Sequence, residues 1–288
     1  MLETLLAVCA FLCLVFASIS DIRTREVPDW LNYGLILAAL GIRLIFSLAL
    51  HDWHPIVSGL LGFVAFFLLA NLMFYTAQWG GGDSKLLMGL GAVIGLDTSF
   101  LGFATIPPLL IFFINVMMVG AVYGLLFSVW LAFRKQRAFL KDFRQRIGKY
   151  ILLRRIVLAA SLIMLIVALL ITDYQLRFFI SVATASVLLM FYTSLFVKSI
   201  EQCCMLRWVP PEKLTEGDWI VNDIVINKKR ICGPRDLGIE KSQIKRLIAL
   251  KRRGLVKKVL IKEGIPFVPS FLIAYLITLF WNWLAFFL

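Results

Sequence analysis

Charge is scarce in this chain. Asp, Glu, Lys and Arg make up 16% of its 288 residues, against 61% hydrophobic residues and a mean hydropathy of +0.89. A soluble domain of that length carries far more charge, so a globular protein surrounded by water is excluded. Paired cysteines are missing too. The five cysteines include no CxxC pair, which argues against a zinc site and provides no disulfide framework. Cys9, Cys13, Cys203, Cys204 and Cys232 read as small apolar fillers and free thiols. The basic residues come without an aromatic platform or a glycine-rich loop, so nucleic acid is not expected as a partner.

What fills the chain instead is apolar sequence in long runs: 2–20, 31–50, 56–77, 86–96, 106–133, 156–172, 176–197 and 267–288. A membrane helix needs about 20 apolar residues, and most of these runs supply them. The expected fold is an all-α polytopic helical bundle of about eight spans. Only 86–96 is short. At about 1.5 Å per residue it covers roughly half the hydrocarbon core, so it must extend back through Asp83 and Lys85 or stop in a protein-lined cavity. Met1-Leu2-Glu3 is no basic leader and no small-x-small site precedes Asp21, so the first run reads as a retained span rather than a signal peptide.

Lysine and arginine orient the bundle. With the N-terminus outside, the inside loops are 21–30, 78–85, 134–155 and 198–266, and they hold 28 of the 30 basic residues. The net charge of +13 then reflects topology and attraction to anionic lipid headgroups. Residues 1–133 read as a five-span core. Residues 134–197 read as a basic amphipathic linker, Arg134 to Arg155, followed by a two-span hairpin. Residues 198–266 read as a small cytoplasmic α+β insertion, and 267–288 as the last span. Inside the insertion, 219–221 and 224–226 are predicted strands around an Asn222-Asp223 turn. Residues 240–253 are a predicted helix stopped by Gly254, and 255–261 a further strand.

Two carboxyls stand where the membrane makes them costly. Asp21 closes the first apolar run, and Asp83 follows Gly80-Gly81-Gly82 at the head of the short one. An ionisable residue near the hydrocarbon is a functional-site hypothesis whose partner should be named. Here each carboxyl's natural partner is the other. Two carboxyls brought together share one proton and activate water, the chemistry of an aspartic protease. The topology puts both on the cytoplasmic side. A helix-end argument gives Asp83 the ionised role, because it starts a helix, and Asp21 the shared proton, because it ends one. The plainer alternatives are an N-cap at Asp83 and a loop residue at Asp21. Gly80 and Gly82 read as turn residues or as positions whose missing Cβ admits a substrate backbone. Lys85 reads as a residue snorkelling to the interface, and Arg43 as snorkelling or pairing within the bundle. Gly91/Gly95 and Gly120/Gly124 have the spacing of close helix contacts.

These residues carry a family resemblance. The stretch Asp21-Ile-Arg-Thr-Arg-Glu-Val-Pro-Asp-Trp-Leu-Asn32 resembles the first catalytic motif of the type IV prepilin peptidases, including the Val-Pro pair at Pro28. Gly80-Gly-Gly-Asp83-Ser-Lys85 resembles their GxGD motif, and Gly264-Ile-Pro-Phe-Val-Pro-Ser-Phe resembles the start of the last span in archaeal members. Those relatives, the archaeal preflagellin peptidases among them, are membrane aspartic endopeptidases that remove short basic leader peptides from pilin-like precursors. The resemblance implies catalytic Asp21 and Asp83, supporting Gly80, Gly82, Lys85, Pro28, Pro266 and Pro269, and no metal or cofactor. Glu26 and Asp29 could meet the leader's basic residues or be a solvated loop. Bacterial relatives also carry a paired-CxxC loop and methylate the new N-terminus. Neither that loop nor a nucleotide-binding glycine pattern is present here, so protease activity alone is expected. Other readings are a presenilin- or signal-peptide-peptidase-like protease and a proton-coupled transporter. The first would show Tyr-Asp and Pro-Ala-Leu elements and the second internal repeats; none is visible.

Overall fold

The structure, a computed structural model, describes residues 1–97, 106–226 and 229–287. Each apolar run of the sequence is found in a helix. In chain order these are α1 (Leu2–Thr24), α2 (Asp29–Leu50), α3 (His54–Tyr75), α4 (Gly81–Ile94), α5 (Pro108–Arg134), α7 (Ile151–Leu170), α8 (Tyr174–Ile200) and α10 (Val268–Phe287). The basic segment α6 (Gln136–Lys149) lies between α5 and α7. The insertion contributes β1 (Leu206–Val209), β2 (Trp219–Ile220), β3 (Ile224–Ile226), β4 (Lys229–Cys232), α9 (Lys241–Arg252) and β5 (Val259–Lys262). Among the described residues, six helices are long and apolar enough to cross a membrane: α1, α2, α3, α5, α7 and α8 with its continuation to Met205. Thus α4, at 14 residues, does not reach the expected span length, and the predicted end of the last span at Leu288 lies outside the described residues.

The chain divides into two compact units. The first comprises 1–125, 209–259 and 264–288. Its core gathers Leu6, Leu14, Leu86, Leu87, Leu90, Phe112, Val116 and Phe271, all at most 1% exposed. Helix α4, about 21 Å long, is enclosed by this core. Two devices hold it. The backbones of α3 and α4 meet at Gly62 and Gly91, where a Cβ on either would run into the other's carbonyl oxygen. At its far end, Arg43 of α2 is 2% exposed and, of its two expected roles, takes the one of pairing within the bundle. Its guanidinium donates to the carbonyls of Ala92 (2.9 Å), Val93 (2.7 Å) and Pro55 (3.0 Å). The last carbonyls of a helix lack intrahelical partners and carry its negative pole, so a buried cation with a forked donor set belongs there. Of the second glycine pair, only Gly120 marks a close contact, against the Phe267 ring; Gly124 faces open space.

In the insertion the predicted hairpin is corrected. β3 does not turn back on β2; it pairs antiparallel with β4, Ile224 opposite Cys232 and Ile226 opposite Lys229, while β2 lies in a separate sheet. Asp223, expected in a turn, is instead an anchor. Arg230 of β4 donates to it at 2.8 Å and to Asp236 at 3.0 Å, which rewards the β3–β4 pairing. Helix α9 matches its expectation: Glu240 and Gln243 form a reciprocal capping box, Leu247 is buried, and Gly254 follows with φ of 75°.

The second unit comprises 126–208 and 260–263. Here α6 has no buried residue and keeps Arg137, Lys141 and Arg144 exposed, while Phe139 meets Phe196 edge-on at 5.4 Å. Asp142 accepts from Arg146 at 2.6 Å and from Ser199 of α8 at 2.7 Å.

Candidate active site

Asp21 lies in the last turn of α1 and is 5% exposed. The next element in space is the start of α10. Its first amides are orphans, and Pro269, in its first turn, has no N–H to place. The N–H of Val268 donates to Asp21 Oδ2 at 2.9 Å, and the N–H of Phe267 also bonds to this carboxyl. Asp21 therefore ends one helix and caps another 247 residues away. The helix-end argument, which saw only α1, is incomplete: the positive pole of α10 also faces this carboxyl.

Asp83 is not an N-cap. Gly80 holds that position, and Asp83 sits in the first turn of α4, three residues on. From there its carboxyl reaches back to accept the Gly80 N–H, the return half of a capping arrangement. Asp83 lies within the electrostatic field of Asp21, 62 positions earlier in the chain. The two motif loops also touch. Val27, of the Val-Pro pair in the first motif, packs on Gly82, whose Cβ would stand 3.3 Å from that of Val27. Gly82 thus meets the first motif rather than an open cleft. Gly80 and Gly81 have room for a methyl, 3.6 Å from Asp83 Oδ2 and 3.7 Å from Phe74 respectively. Behind the loop, Trp79 packs on Phe267 and Phe271 with ring centroids 5.7 and 5.2 Å apart, tying the glycine run to the head of α10.

Around this centre the remaining candidates take definite places. Pro28 is the N-cap residue of α2, and Pro266 is buried in the turn before α10. The Lys85 ammonium lies 2.6 Å from Asp29 and 5.5 Å from the centre of the Tyr33 ring. That pair joins the start of α4 to the start of α2 and gives Asp29 a partner within the chain. Glu26 is exposed, and its carbonyl is held by Ser20 Oγ at 2.8 Å. Arg25 closes α1 at φ of 63° and donates to the Gly264 carbonyl at 2.9 Å. Lys241, at the head of α9, pairs with Glu216 at 2.9 Å and feels the charges of Asp29 and Glu26. Among the described residues, no group of three or more His, Cys, Asp or Glu is placed to hold a metal ion. Sequence reading missed Trp79, the Val268 amide and Tyr123 of α5, whose phenol lies in the field of Asp21. Their contacts span distant parts of the chain, and a backbone amide leaves no trace in a motif.

One consequence is testable directly. Gly82→Val places a branched side chain against Val27 and parts the two motifs, so any activity that the two aspartates support should be lost at matched, folded membrane levels. Gly81→Ala should retain most of it. Equal activity in both variants would show that the Val27 contact does not hold the site.

The fold and site define a polytopic helical membrane protein with two carboxyls drawn together at helix starts. Residues 8–125 match the family described as the type IV leader peptidase family. The chain is similar to preflagellin peptidases of three archaea. The likeness is 34% identity over 96 residues for Methanococcus voltae, 36% over 81 for Methanococcus maripaludis and 37% over 81 for Methanocaldococcus jannaschii. These matches cover 33%, 28% and 28% of this chain and 40%, 35% and 34% of the relatives, so the chain spans well under half of each. No solved structure matches it. Both aspartates lie inside the stretch matched by that family's model, which covers less than half of the chain.

Proposed function

We propose that this protein is a membrane aspartic endopeptidase that removes short basic leader peptides from prepilin- or preflagellin-like precursors at the cytoplasmic membrane face. The observation that carries the reading is the coupling of Asp21 and Asp83 across two motif loops that touch at Val27 and Gly82. In the reverse of the helix-end expectation, Asp21, which accepts two backbone N–H bonds, is the ionised member that takes a proton from water. Asp83 holds the shared proton and polarises the scissile carbonyl; the pair titrates as a unit. A peptide bond must be extended to be cut, and an extended segment at membrane depth needs a protein-lined cleft, which a short α4 leaves room for. No N-methyl transfer accompanies cleavage. Incubating the purified protein with a leader-bearing pilin precursor tests the reading. A shortened product from wild type and none from Asp21→Asn is expected, and an intact precursor under all conditions would sink it.

Orientation and lipid contact belong to the same proposal. With the N-terminus outside, a cysteine at the exposed position 245 of α9, in a protein lacking the five native cysteines, reacts with a membrane-impermeant maleimide only from the cytoplasmic side. Labelling from outside would overturn both the topology and the placement of the site. The exposed Arg137, Lys141 and Arg144 of α6 then face anionic headgroups.

A further inference from the structure

Two of the five cysteines are neighbours in sequence and in contact. At the end of α8, the sulfurs of Cys203 and Cys204 lie 3.1 Å apart. Side chains at consecutive positions of an α-helix do not face each other. These two meet where the helix has changed form: Glu201–Met205 is a single π turn, after which Leu206 is extended at ψ of 131° and opens β1. Such turns are rare and gather at functional sites. The other thiols are placed differently. Cys13 lies one turn from Cys9 on α1 but turns its sulfur to the Leu31 carbonyl at 3.9 Å, and Cys232 is buried in β4.

The turn is fastened from three directions. Lys135 donates to the Cys204 carbonyl at 3.0 Å, Lys262 of β5 pairs with Glu201 at 2.8 Å, and the Glu263 N–H donates to the Met205 carbonyl at 2.9 Å. The two sulfurs differ in access. Cys204 is 6% exposed and its thiol faces the Leu131 carbonyl at 3.9 Å, whereas Cys203 is half-buried. One thiol can be reached from outside, and the second waits against it. A role as small apolar fillers explains their place beside Ala132 and Ile200, but not the contact of sulfur with sulfur.

We infer that Cys203 and Cys204 form a modification site, a vicinal dithiol that a low-molecular-weight disulfide oxidises reversibly to an intramolecular disulfide. Cys203, as thiolate, attacks one sulfur of the small disulfide. That S–S bond breaks, a new one joins Cys203 to one half, and the other half leaves and takes up the proton that Cys203 gave up. Cys204, deprotonated in turn, attacks the Cys203 sulfur and expels the second half in the same way. The protein has lost two electrons and two protons, and the small disulfide has become two thiols. Consecutive Cα atoms stand about 3.8 Å apart across a trans peptide, short of the roughly 4.4–6.8 Å usual for disulfides. The product is therefore strained, and strained disulfides are the labile, regulatory kind. Closing the ring also draws the Cys204 sulfur away from the Leu131 carbonyl, so oxidation re-forms the turn that joins α8 to β1.

The test exposes the purified, reduced full-length protein to oxidised glutathione and maps its tryptic peptides without reduction. Peptide 199–207 should lose two hydrogens, carry no glutathione, and regain both hydrogens with dithiothreitol. Amide hydrogen exchange over 199–206 should differ between the two states. In Cys204→Ala, the same treatment should leave glutathione on Cys203, because no second thiol resolves the mixed disulfide. Stable glutathione on either cysteine of wild type, or a disulfide between two chains, would overturn the site. So would an unchanged peptide in the folded protein when the unfolded protein reacts. Identical exchange in the two states would overturn the effect on the turn. Should Cys204→Ala not fold, the wild-type peptide decides alone. Precursor cleavage is not read, so the outcome is separate from that of the peptidase reading.

Discussion

Asp21→Asn and Asp83→Asn should each reduce precursor cleavage by about 10²–10⁴-fold, the range general acid–base groups contribute. The proteins should remain folded in the membrane. The cause lies in the shared proton: an amide can neither take a proton from water nor hold the one that polarises the carbonyl. Asn at position 21 retains an oxygen for the Val268 amide, so α10 keeps its cap and loss of activity is not loss of fold. Asn at position 83 likewise keeps an acceptor for the Gly80 N–H. The measurement is the fraction of precursor shortened over time at equal enzyme levels. Near wild-type rates in either variant would end the two-carboxyl mechanism.

The largest effect on stability is expected at Arg43. Arg43→Met keeps length and apolar packing but strands the carbonyls of Ala92 and Val93, at the end of α4, in a buried site. Unsatisfied buried acceptors cost about 1–3 kcal/mol each, so a loss of at least about 2 kcal/mol is expected. Arg43→Lys should fall between, since one ammonium cannot reproduce a planar fork over three carbonyls. Because α4 carries Asp83, destabilisation at its far end should also lower cleavage below the unfolding midpoint. An unchanged midpoint in Arg43→Met, measured by thermal unfolding in detergent, would show that α4 does not depend on this cap.

How much of the site was legible follows from the range of each interaction. Asp21 and Asp83 stand out in the sequence because ionisable residues at the ends of apolar runs are costly wherever the chain goes. Gly62 meeting Gly91, Lys85 meeting Asp29 and Arg43 meeting α4 were not legible, because spacing along one helix does not reveal which helix it faces. Lys85 was read as an interface residue, and Arg43 as snorkelling or pairing within the bundle with no partner named, for that reason. A long cation beside an apolar run usually snorkels, and only a neighbouring helix offers it a better partner.

By itself, the sequence determined that this chain lies in membranes, where its helices run, and that α4 is too short to cross alone. Those follow from hydrophobic length and charge scarcity, which act locally. It also marked both aspartates. Only the tertiary structure decided that Asp21 caps α10, that Asp83 caps its own helix from the third position, and that Gly82 packs on Val27. The same holds for the insertion strand that pairs with β4 rather than with its neighbour in sequence. The physical reason is the same in each case: buried amides, carbonyls and side chains must find partners, and in a bundle those partners come from elements distant in the chain.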